Sequence, residues 1–513
     1  MTSRATRTAR ELVAAAPGAR IVHGDPEIGI GAVQVDSRRI TAGDLFVAVR
    51  GADQDGTTFV GAALTSGAVA VAVEEDQVER VTGIAGGAVV VACESARTFA
   101  AAAAVELAGR PAERLVLVAI TGTSGKTTTA WILEHIFEAA GHPTGLLGTI
   151  EYRFAGETEP APLTTPDAIV LQDLLRRMVA AGVTHTVMEA SSHSLAQGRL
   201  FGTALDAGVY TNLSRDHLDF HHDLEGYAAD KARLFKELLP ASGKPSFAVL
   251  NAVDPACRRL MGEIAIPYVS FGDGGEVFAR DVACDLDGLR GTLVLGEESV
   301  AFTSGLIGAP HLQNVLAASA VAWKLGVPTE AILGGLATCT GVPGRLEPIR
   351  EGQPFAVIVD YAHKPDALER TLDSLRELTS KRLIVVFGCG GDRDTGKRKM
   401  MGEIAGRLAD LVIVTSDNPR TEDPIEIIRA IEAGVRETSC TQVAHEALGH
   451  GGGEEYAVVP ERRAAILRSI EVARAGDLVL IAGKGHEDYQ VVGATRSHFD
   501  DREEVRRALG GAA

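Results

Sequence analysis

The sequence predicts an α/β protein of three domains: a central P-loop-type, mainly parallel sheet, flanked by a small N-terminal α/β domain and a Rossmann-like C-terminal α/β domain. Three observations lead there. Short β-branched apolar runs alternate with helical segments at βαβ spacing, which favours parallel sheets covered on both faces. One such run leads through glycines into Lys126-Thr127 and a helix. Other runs end in loops crowded with ionic residues, at the carboxyl edge where open α/β sheets take their ligands.

At 513 residues the chain has room for several domains and an ample core without disulfides or structural metal. Its net charge of −18 argues against a general nucleic-acid or membrane-surface binder, so cations for any anionic ligand must be concentrated locally. Cys93, Cys257, Cys284, Cys339, Cys389 and Cys440 form no CxxC pair, which speaks for reduced thiols in a cytosolic protein. The N-terminal MTSRATRTARELVAAAPG is basic but lacks a continuous apolar core, and no window nears about eighteen unbroken apolar residues. Neither export nor membrane insertion is expected. Glycine and proline interrupt the pattern at Gly109-Arg110-Pro111 and again at Gly341-Val342-Pro343-Gly344, which sets domains at 1–110, 111–344 and 345–513.

In the first domain, the runs Leu45 to Val49, Ala68 to Val73 and Ala88 to Ala92 alternate with glycine turns and alanine-rich helical pieces. Asp36-Ser37-Arg38-Arg39 and Asp55-Gly56 border them and could hold a ligand, although DSRR alone reads more readily as a solvated turn. In the second, Leu115 to Ile120 is a strand buried on both faces, followed by a glycine-flanked turn and a helix from Thr129 to Ala140. Glycines let backbone N–H groups approach an anion, and the helix N-terminus favours negative charge. Lys126 then reaches outer phosphates and Thr127 can ligate magnesium, so the stretch reads as a nucleoside triphosphate site. The common P-loop has glycine where this chain has Ile120, and a chance turn carrying Gly and Lys is the plainer alternative.

Strand Thr184 to Met188 delivers Glu189, and strand Ala207 to Thr211 delivers His217, to the same edge as Thr127. A carboxylate, an imidazole and a hydroxyl form a sensible set around Mg²⁺ and ATP oxygens. The cluster His217, His221 and His222 would also allow zinc, with no cysteine nearby to favour it. From Leu224 to Leu239 the apolar residues keep helical spacing, and Lys231 falls inside that stripe whereas Arg233 and Lys236 fall outside. A buried lysine is costly unless paired, neutralised or modified; snorkelling along the helix edge is the alternative.

Phe302 to Thr340 reads as helical, with His311-Leu312-Gln313-Asn314 opening an alanine-rich run, and Arg345 follows in a linker from which it could reach a phosphate. Three further strands, Leu383 to Phe387, Leu411 to Thr415 and Leu478 to Ala482, each end in an ionic loop. Arg393, Arg420 and Glu487 at these strand ends offer both signs of charge, as a zwitterion would require. GCGGDR imperfectly matches a dinucleotide glycine loop, since basic residues follow it rather than a Rossmann helix with a ribose-binding acid.

Together these motifs resemble the Mur ligases, the ATP-dependent amino-acid-adding enzymes of peptidoglycan synthesis, over nearly the whole chain. The resemblance is carried by Thr121-Gly122-Thr123-Ser124-Gly125-Lys126-Thr127 and Met188-Glu189-Ala190-Ser191-Ser192-His193. Asn212-Leu213-Ser214-Arg215-Asp216-His217-Leu218-Asp219-Phe220-His221 and Asp360-Tyr361-Ala362-His363-Lys364-Pro365 carry it as well. Within the family the chain looks most like members that add the third residue of the stem peptide. Asp417-Asn418-Pro419-Arg420 is similar to the motif of those that select meso-diaminopimelate. At Ala52-Asp53-Gln54 it differs from the His-Gln-Ala of other members.

The resemblance implies a ligase that adds meso-diaminopimelate to UDP-N-acetylmuramoyl-L-alanyl-D-glutamate through an acyl phosphate, in cytoplasmic precursor synthesis, using ATP and Mg²⁺. It implies that Gly122, Thr123, Ser124, Gly125, Lys126, Thr127 and Thr128 hold the ATP phosphates, with Asn314, Arg345 and His363 near the nucleotide. Thr127, Glu189, His217 and Lys231 would serve the metal, Lys231 as a carbamylated lysine, and Lys126, Lys231 and His217 would be the catalytic groups. Ser37, Thr164, Thr165, Ser191, Gln197 and Arg199 match positions that contact the UDP-sugar peptide. Arg393, Asp417, Asn418, Pro419, Arg420, Gly483 and Glu487 match the diaminopimelate pocket, with Arg420 the carboxylate clamp. Small-molecule substrates, no nucleic acid, no membrane insertion and a monomer are expected. An L-lysine-adding or folylpolyglutamate-synthase-like ligase is the nearest alternative, and a slow nucleotide-hydrolysing switch a further one.

Overall fold

A computed structural model describes residues 6–51 and 54–510; Ala52 and Asp53, at the departure noted above, lie outside them. The chain forms two compact units, Met1–Phe278 with Leu316–Gly335, and Ala279–Val315 with Leu336–Ala513.

The first unit is built on two main sheets, beside a two-stranded pair of Arg7–Thr8 with Gly29–Ile30. Strands β1 (Arg20–His23), β2 (Ala32–Gln34), β3 (Asp44–Val47), β4 (Ala70–Glu74) and β5 (Val89–Cys93) lie in the order β1-β5-β4-β3-β2, parallel except for β1. Helix α1 (Ala96–Leu107) starts at Ser95, whose hydroxyl accepts from Thr98 N at 3.3 Å, and buries an alanine face around Phe99 against this sheet. The second sheet uses β6 (Val116–Thr121), β7 (Thr144–Leu147), β8 (Glu151–Phe154), β9 (Glu157–Pro160), β10 (His185–Glu189), β11 (Ala207–Tyr210), β12 (Phe247–Asn251) and β13 (Tyr268–Phe271). Their order is β9-β8-β7-β10-β6-β11-β12-β13, and only the β7-β8-β9 edge is antiparallel. The phosphate-loop strand β6 therefore sits between the strands that carry Glu189 and His217. Its apolar residues 117–120 are fully buried, as a strand covered on both faces requires.

Two boundaries differ from the sequence reading. Helix α2 spans Lys126–Ala139 and begins three residues earlier than expected from Thr129, because Gly125 takes a left-handed φ of +86° and supplies the turn itself. Thr127, Thr128 and Thr129 lie within its first turn. Further helices of this sheet include α3 (Ala168–Ala180), the short α4 (Ser192–Ala196) and α5 (Leu224–Arg233), capped by Asp167, Ser191 and Asp223.

In the second unit, β14 (Gly288–Leu295) and β15 (Glu298–Ser304) form an antiparallel hairpin, so Phe302 to Ser304 are strand rather than the start of a helix. Phe302 and Ser304 are buried while Ala301 and Thr303 are exposed, a period of two that the apolar composition masked. Helices α6 (Ala309–Lys324) and α7 (Thr329–Thr338) follow in sequence, and their stretch Leu316–Gly335 belongs to the first unit. A seven-stranded sheet contains β16 (Glu347–Ile349), β17 (Ala356–Asp360), β18 (Leu383–Phe387), β19 (Leu411–Val414), β20 (Thr441–Gln442), β21 (Glu455–Val458) and β22 (Leu478–Ala482), in the order β16-β17-β22-β18-β19-β21-β20. Only β16 is antiparallel. One face buries α8 (Pro365–Arg376), α9 (Gly396–Leu408) and α10 (Pro424–Val435). The other face buries α11 (Arg462–Val472) and α12 (Asp501–Ala508). All six cysteines are free and all but Cys284 are buried. Among the described residues no helix is long and apolar enough to cross a membrane.

Candidate active site

The phosphate loop of the first unit is tied to the segment after β11. Thr211 Oγ1 donates to Ser124 O at 2.6 Å, Thr123 N donates to Asn212 O at 2.9 Å, and Ser124 N donates to Asn212 Oδ1 at 3.0 Å. Gly122 has φ +145°, and a Cβ there would stand 1.9 Å from Thr211 Oγ1, so only glycine fits this crossing. Helix α2 has no side-chain cap, unlike α3, α4 and α5, which leaves its first-turn N–H groups, including those of Thr127 and Thr128, as an anion cradle. Lys126 Nζ folds back over the loop and donates to Gly122 O and Thr123 O, each at 3.0 Å.

Lys231 meets the same loop from α5. It is 1% exposed, which removes the snorkelling alternative, and its Nζ donates to Gly122 O at 2.8 Å while lying 4.3 Å from the Tyr227 ring centre. The His217 ring stands edge-on to Tyr227 at 6.2 Å and to His193 at 4.9 Å. Thus Gly122, Lys231, Tyr227 and His217 are brought together. Glu189, paired in register with Ile120 of β6, is 1% exposed and accepts from Thr149 N at 2.8 Å and Thr149 Oγ1 at 2.9 Å. His221 is not available to a zinc cluster: its Nδ1 is bonded to Asp230 at 2.8 Å and its Nε2 to Ser192 at 2.9 Å. Among the described residues no three His, Cys, Asp or Glu side chains stand together as a metal site.

A second group of residues meets at the loop after β10. Thr165 Oγ1 donates to Glu189 O at 2.8 Å and accepts from Ser191 N at 3.0 Å. Arg199 donates to Thr165 O at 2.7 Å and grips Gln197 Oε1 with Nε and Nη2 at 3.0 and 2.8 Å. The Thr164 hydroxyl lies 3.2 Å from that of Thr149, which joins this group to Glu189. Gln197 and Arg199 also border a cleft of about 850 Å³ shared with Ser37, Arg38, Arg97 and Phe59. Asp36 does form the turn that DSRR suggested, accepting from Arg38 N at 3.0 Å, and the turn itself lines the cleft.

In the second unit the ionic loops after β17, β18, β19 and β22 converge. Lys484 is fully buried and donates to Asn418 Oδ1 at 3.0 Å and to Tyr489 O at 2.7 Å, with Asp417 Oδ1 at 3.1 Å. Burial pushes the Asp417 carboxyl up, but the charges of Lys484 and Arg462 outweigh it and hold the group below its ordinary value. Asn418 Nδ2 donates to Glu487 Oε2 at 3.0 Å; burial and the neighbouring Asp417 charge push Glu487 up. Gly483, at φ +120°, donates its N–H to Asp360 O at 3.1 Å. Arg420 donates to Gly391 O at 2.7 Å, and Pro419 O lies where a Cβ on Gly391 would be, at 1.9 Å. Arg393 is exposed, with its guanidinium 3.5 Å from Asp392 O.

Arg345 and His363 both pack on Tyr361: the guanidinium carbon lies 4.4 Å from the ring centre and the imidazole 4.4 Å away. Burial, reinforced by nearby cations, lowers His363 and His486 to about 3 and His311 to about 4, so all three are neutral at neutral pH. Arg345 Nε, His311 Nδ1 and His486 Nδ1 are buried without a hydrogen-bond partner. Buried polar groups are normally satisfied, so such a set marks where a polar ligand belongs. Asn314, on α6, is also buried.

Sequence reasoning missed Lys484, Tyr361, Thr149 and the pair Arg462–Asp501. Lys484 had a signal, since a Gly-Lys pair just after a buried strand, here Gly483-Lys484, repeats the Gly125-Lys126 pair of the phosphate loop. Thr149 had none, because its role depends on β7 lying beside β10.

Three family models match the chain: the Mur ligase family, catalytic domain over residues 29–111, the Mur ligase middle domain over 120–322, and the Mur ligase, glutamate ligase domain over 344–485. The UDP-N-acetylmuramoyl-L-alanyl-D-glutamate–2,6-diaminopimelate ligase of Geobacter metallireducens is 46% identical over 92% of this chain and 93% of its own length. A solved structure of an enzyme of that description superposes with a TM-score of 0.70 at 33% identity, covering 99% of both chains. The MurF ligase of Thermotoga maritima, solved in complex with ADP, shares the fold at a TM-score of 0.60 and 19% identity, covering 93% of this chain and 96% of that one.

Proposed function

The chain belongs to the Mur ligase family, and from that premise we propose that it is an ATP-dependent ligase that adds meso-diaminopimelate to UDP-N-acetylmuramoyl-L-alanyl-D-glutamate. The observation that carries the amino-acid half is the buried network of Asp417, Lys484, Asn418 and Glu487 beside Arg420, which offers both signs of charge to a zwitterion. The uncapped N-terminus of α2 supports the nucleotide half. We assign residues 1–110 to the nucleotide-sugar, 111–344 to ATP and 345–513 to the amino acid, and we place the reaction in the cytoplasm, where ATP and UDP-sugars are made.

In this reading the γ-phosphoryl group of ATP passes to the side-chain carboxylate of the D-glutamyl residue, and ADP leaves. The free amine of diaminopimelate attacks the resulting acyl phosphate, and phosphate departs as the amide forms. Gly122 to Thr128 cradle the phosphates by backbone N–H groups, and Lys126 turns from its own loop carbonyls to the outer phosphate oxygens. Arg345, His363 and Asn314 serve the nucleotide, and the unpartnered Arg345 Nε supports that role. Thr164, Thr165, Ser191, Gln197, Arg199 and Ser37 hold the UDP-sugar peptide. Asp417, Asn418, Glu487 and Gly483 take the charged amino-acid groups, and Arg420 clamps the distal carboxylate, with Pro419 shaping the loop and Arg393 closing from its exposed position.

The donor chemistry of Glu189, the Thr127 hydroxyl and His217 fits a hard divalent cation shared with substrate phosphates. Held by these side chains, Mg²⁺ would supply neutralisation of phosphate charge, and a carbamate on Lys231 would add an anionic ligand from the position its Nζ now takes on Gly122 O. Burial of that lysine supports modification, because the carbamate replaces a cation the site must otherwise compensate.

Phosphate release by the purified full-length chain tests the proposal. Turnover should require both UDP-muramoyl dipeptide and diaminopimelate; ATP hydrolysis indifferent to either would sink it and favour the switch. Equal rates with L-lysine would refute the role given to Arg420.

A further inference from the structure

Arg462 is the first residue of α11, where the helix dipole disfavours a cation, and its side chain is fully buried. Asp501, the first residue of α12 and equally buried, answers it: Arg462 donates from Nε at 2.7 Å and from Nη2 at 2.6 Å to its two carboxylate oxygens. The rest of the fork is spent on backbone. Nη2 donates to Ala482 O at 3.0 Å and Nη1 to Ser416 O at 3.4 Å. These carbonyls belong to the ends of β22 and β19, which are not neighbours, because β18 runs between them. The guanidinium thus joins the ends of two strands that are not neighbours, across the end of β18. Each carbonyl is the last before a residue of the amino-acid pocket, Asp417 in one loop and Gly483 in the other. A staple between two helices would need only the carboxylate; here the same planar group sets two pocket loops against each other.

We propose that Arg462, held by Asp501, is a positioning residue of the amino-acid site, fixing the Ser416–Asp417 and Ala482–Gly483 peptides so that Asp417, Asn418 and Glu487 present one preformed arrangement to the incoming amine substrate. It touches no substrate. The inference rests on the function proposed above. Lysine keeps the charge at this position but cannot reproduce the fork, so it separates geometry from electrostatics.

The test is steady-state phosphate release by the full chain, with each substrate varied in turn, for wild type, Arg462→Lys and Asp501→Asn. The expected result is a KM for diaminopimelate raised about tenfold or more, with the KM values for ATP and UDP-muramoyl dipeptide within about twofold of wild type. ADP affinity and cooperative unfolding are measured on the same samples. A merely architectural pair would lower the active fraction, and hence kcat, while leaving every KM alone; that outcome overturns the assignment. If Arg462→Lys does not fold, Asp501→Asn decides by the same criterion, and failure of both to fold also assigns the pair to architecture. Wild-type turnover indifferent to diaminopimelate overturns the functional reading and the inference together, whereas saturable wild type with unchanged variants overturns the inference alone.

Discussion

Acidification should weaken the second unit through three histidines, and the size of the effect follows from burial. His311, His363 and His486 are held neutral with values of about 4, 3 and 3. In the unfolded chain each takes a proton near its ordinary value of about 6.5. Because their folded values are lowered, the stability they allow is complete above about pH 6.5 and is lost as pH falls below it, where only the unfolded state binds the proton. Between about pH 6.5 and pH 5 that is roughly 1.5 pH units, or about 2 kcal/mol per histidine and about 6 kcal/mol for the three. The figure needs only that the folded values lie below about 5. Asp360 and Glu487 act the other way: burial raises both, so they take up protons in the folded state first and return some stability as pH falls. A double difference isolates one imidazole. Urea unfolding by circular dichroism at about pH 7.5 and pH 5, for wild type and His486→Asn, should show a pH dependence smaller in the variant by about 2 kcal/mol, whatever the variant does to stability at either pH. Equal pH dependence would refute the claim that this ring is neutral and inaccessible to protons.

Gly122→Ala should abolish ADP binding by calorimetry, since the new methyl would stand 1.9 Å from Thr211 Oγ1 at a φ of +145° and force the loop open; affinity within about threefold of wild type would show that the loop yields. Thr149→Val deletes the hydroxyl donor to Glu189 but keeps the backbone one, a loss of about 1.5–3 kcal/mol for a bond to a charged group, and should raise the Mg²⁺ concentration needed for half-maximal turnover about tenfold. An unchanged Mg²⁺ requirement would count against Glu189 as a ligand. Lys231→Ala should be inactive and partly restored by short carboxylic acids that enter the vacated space, whereas full activity without them would exclude a carbamate.

What the sequence made legible is what depends on local pattern. The strands at Leu383–Phe387 and Leu478–Ala482 coincide with the expected runs because both are buried on two faces and carry no polar residue to blur their limits. Helix α5 showed Lys231 in its apolar stripe because helical periodicity is a property of neighbouring residues. The start of α2 lies three residues before the expected Thr129 because the left-handed backbone of Gly125, which no local pattern displays, ends the turn there. Phe302 to Ser304, the end of the strand at Glu298–Ser304, read as the start of a helix because the hairpin partner, and not the composition, selects the extended form.

The site divides along the same line. Residues at strand ends were found, since the end of a buried run followed by charge is visible in one dimension. Residues that act on those ends from elsewhere were not. Thr149 reaches Glu189 across 40 positions and Arg462 reaches Asp501 across 39, and neither pair has a spacing that any local rule singles out. Their common physical mark is cost: a cation at the first turn of a helix, or a polar side chain spent on a buried carboxylate, persists only where something repays it. A charged residue placed against its electrostatic preference in an otherwise well-patterned helix is therefore a sequence-level sign of a distant partner. Arg462, one residue after the N-cap Glu461 and fully buried, fits that description. The missing piece was the partner, and Asp501 supplies it only because α12 returns to the same face of the sheet as α11.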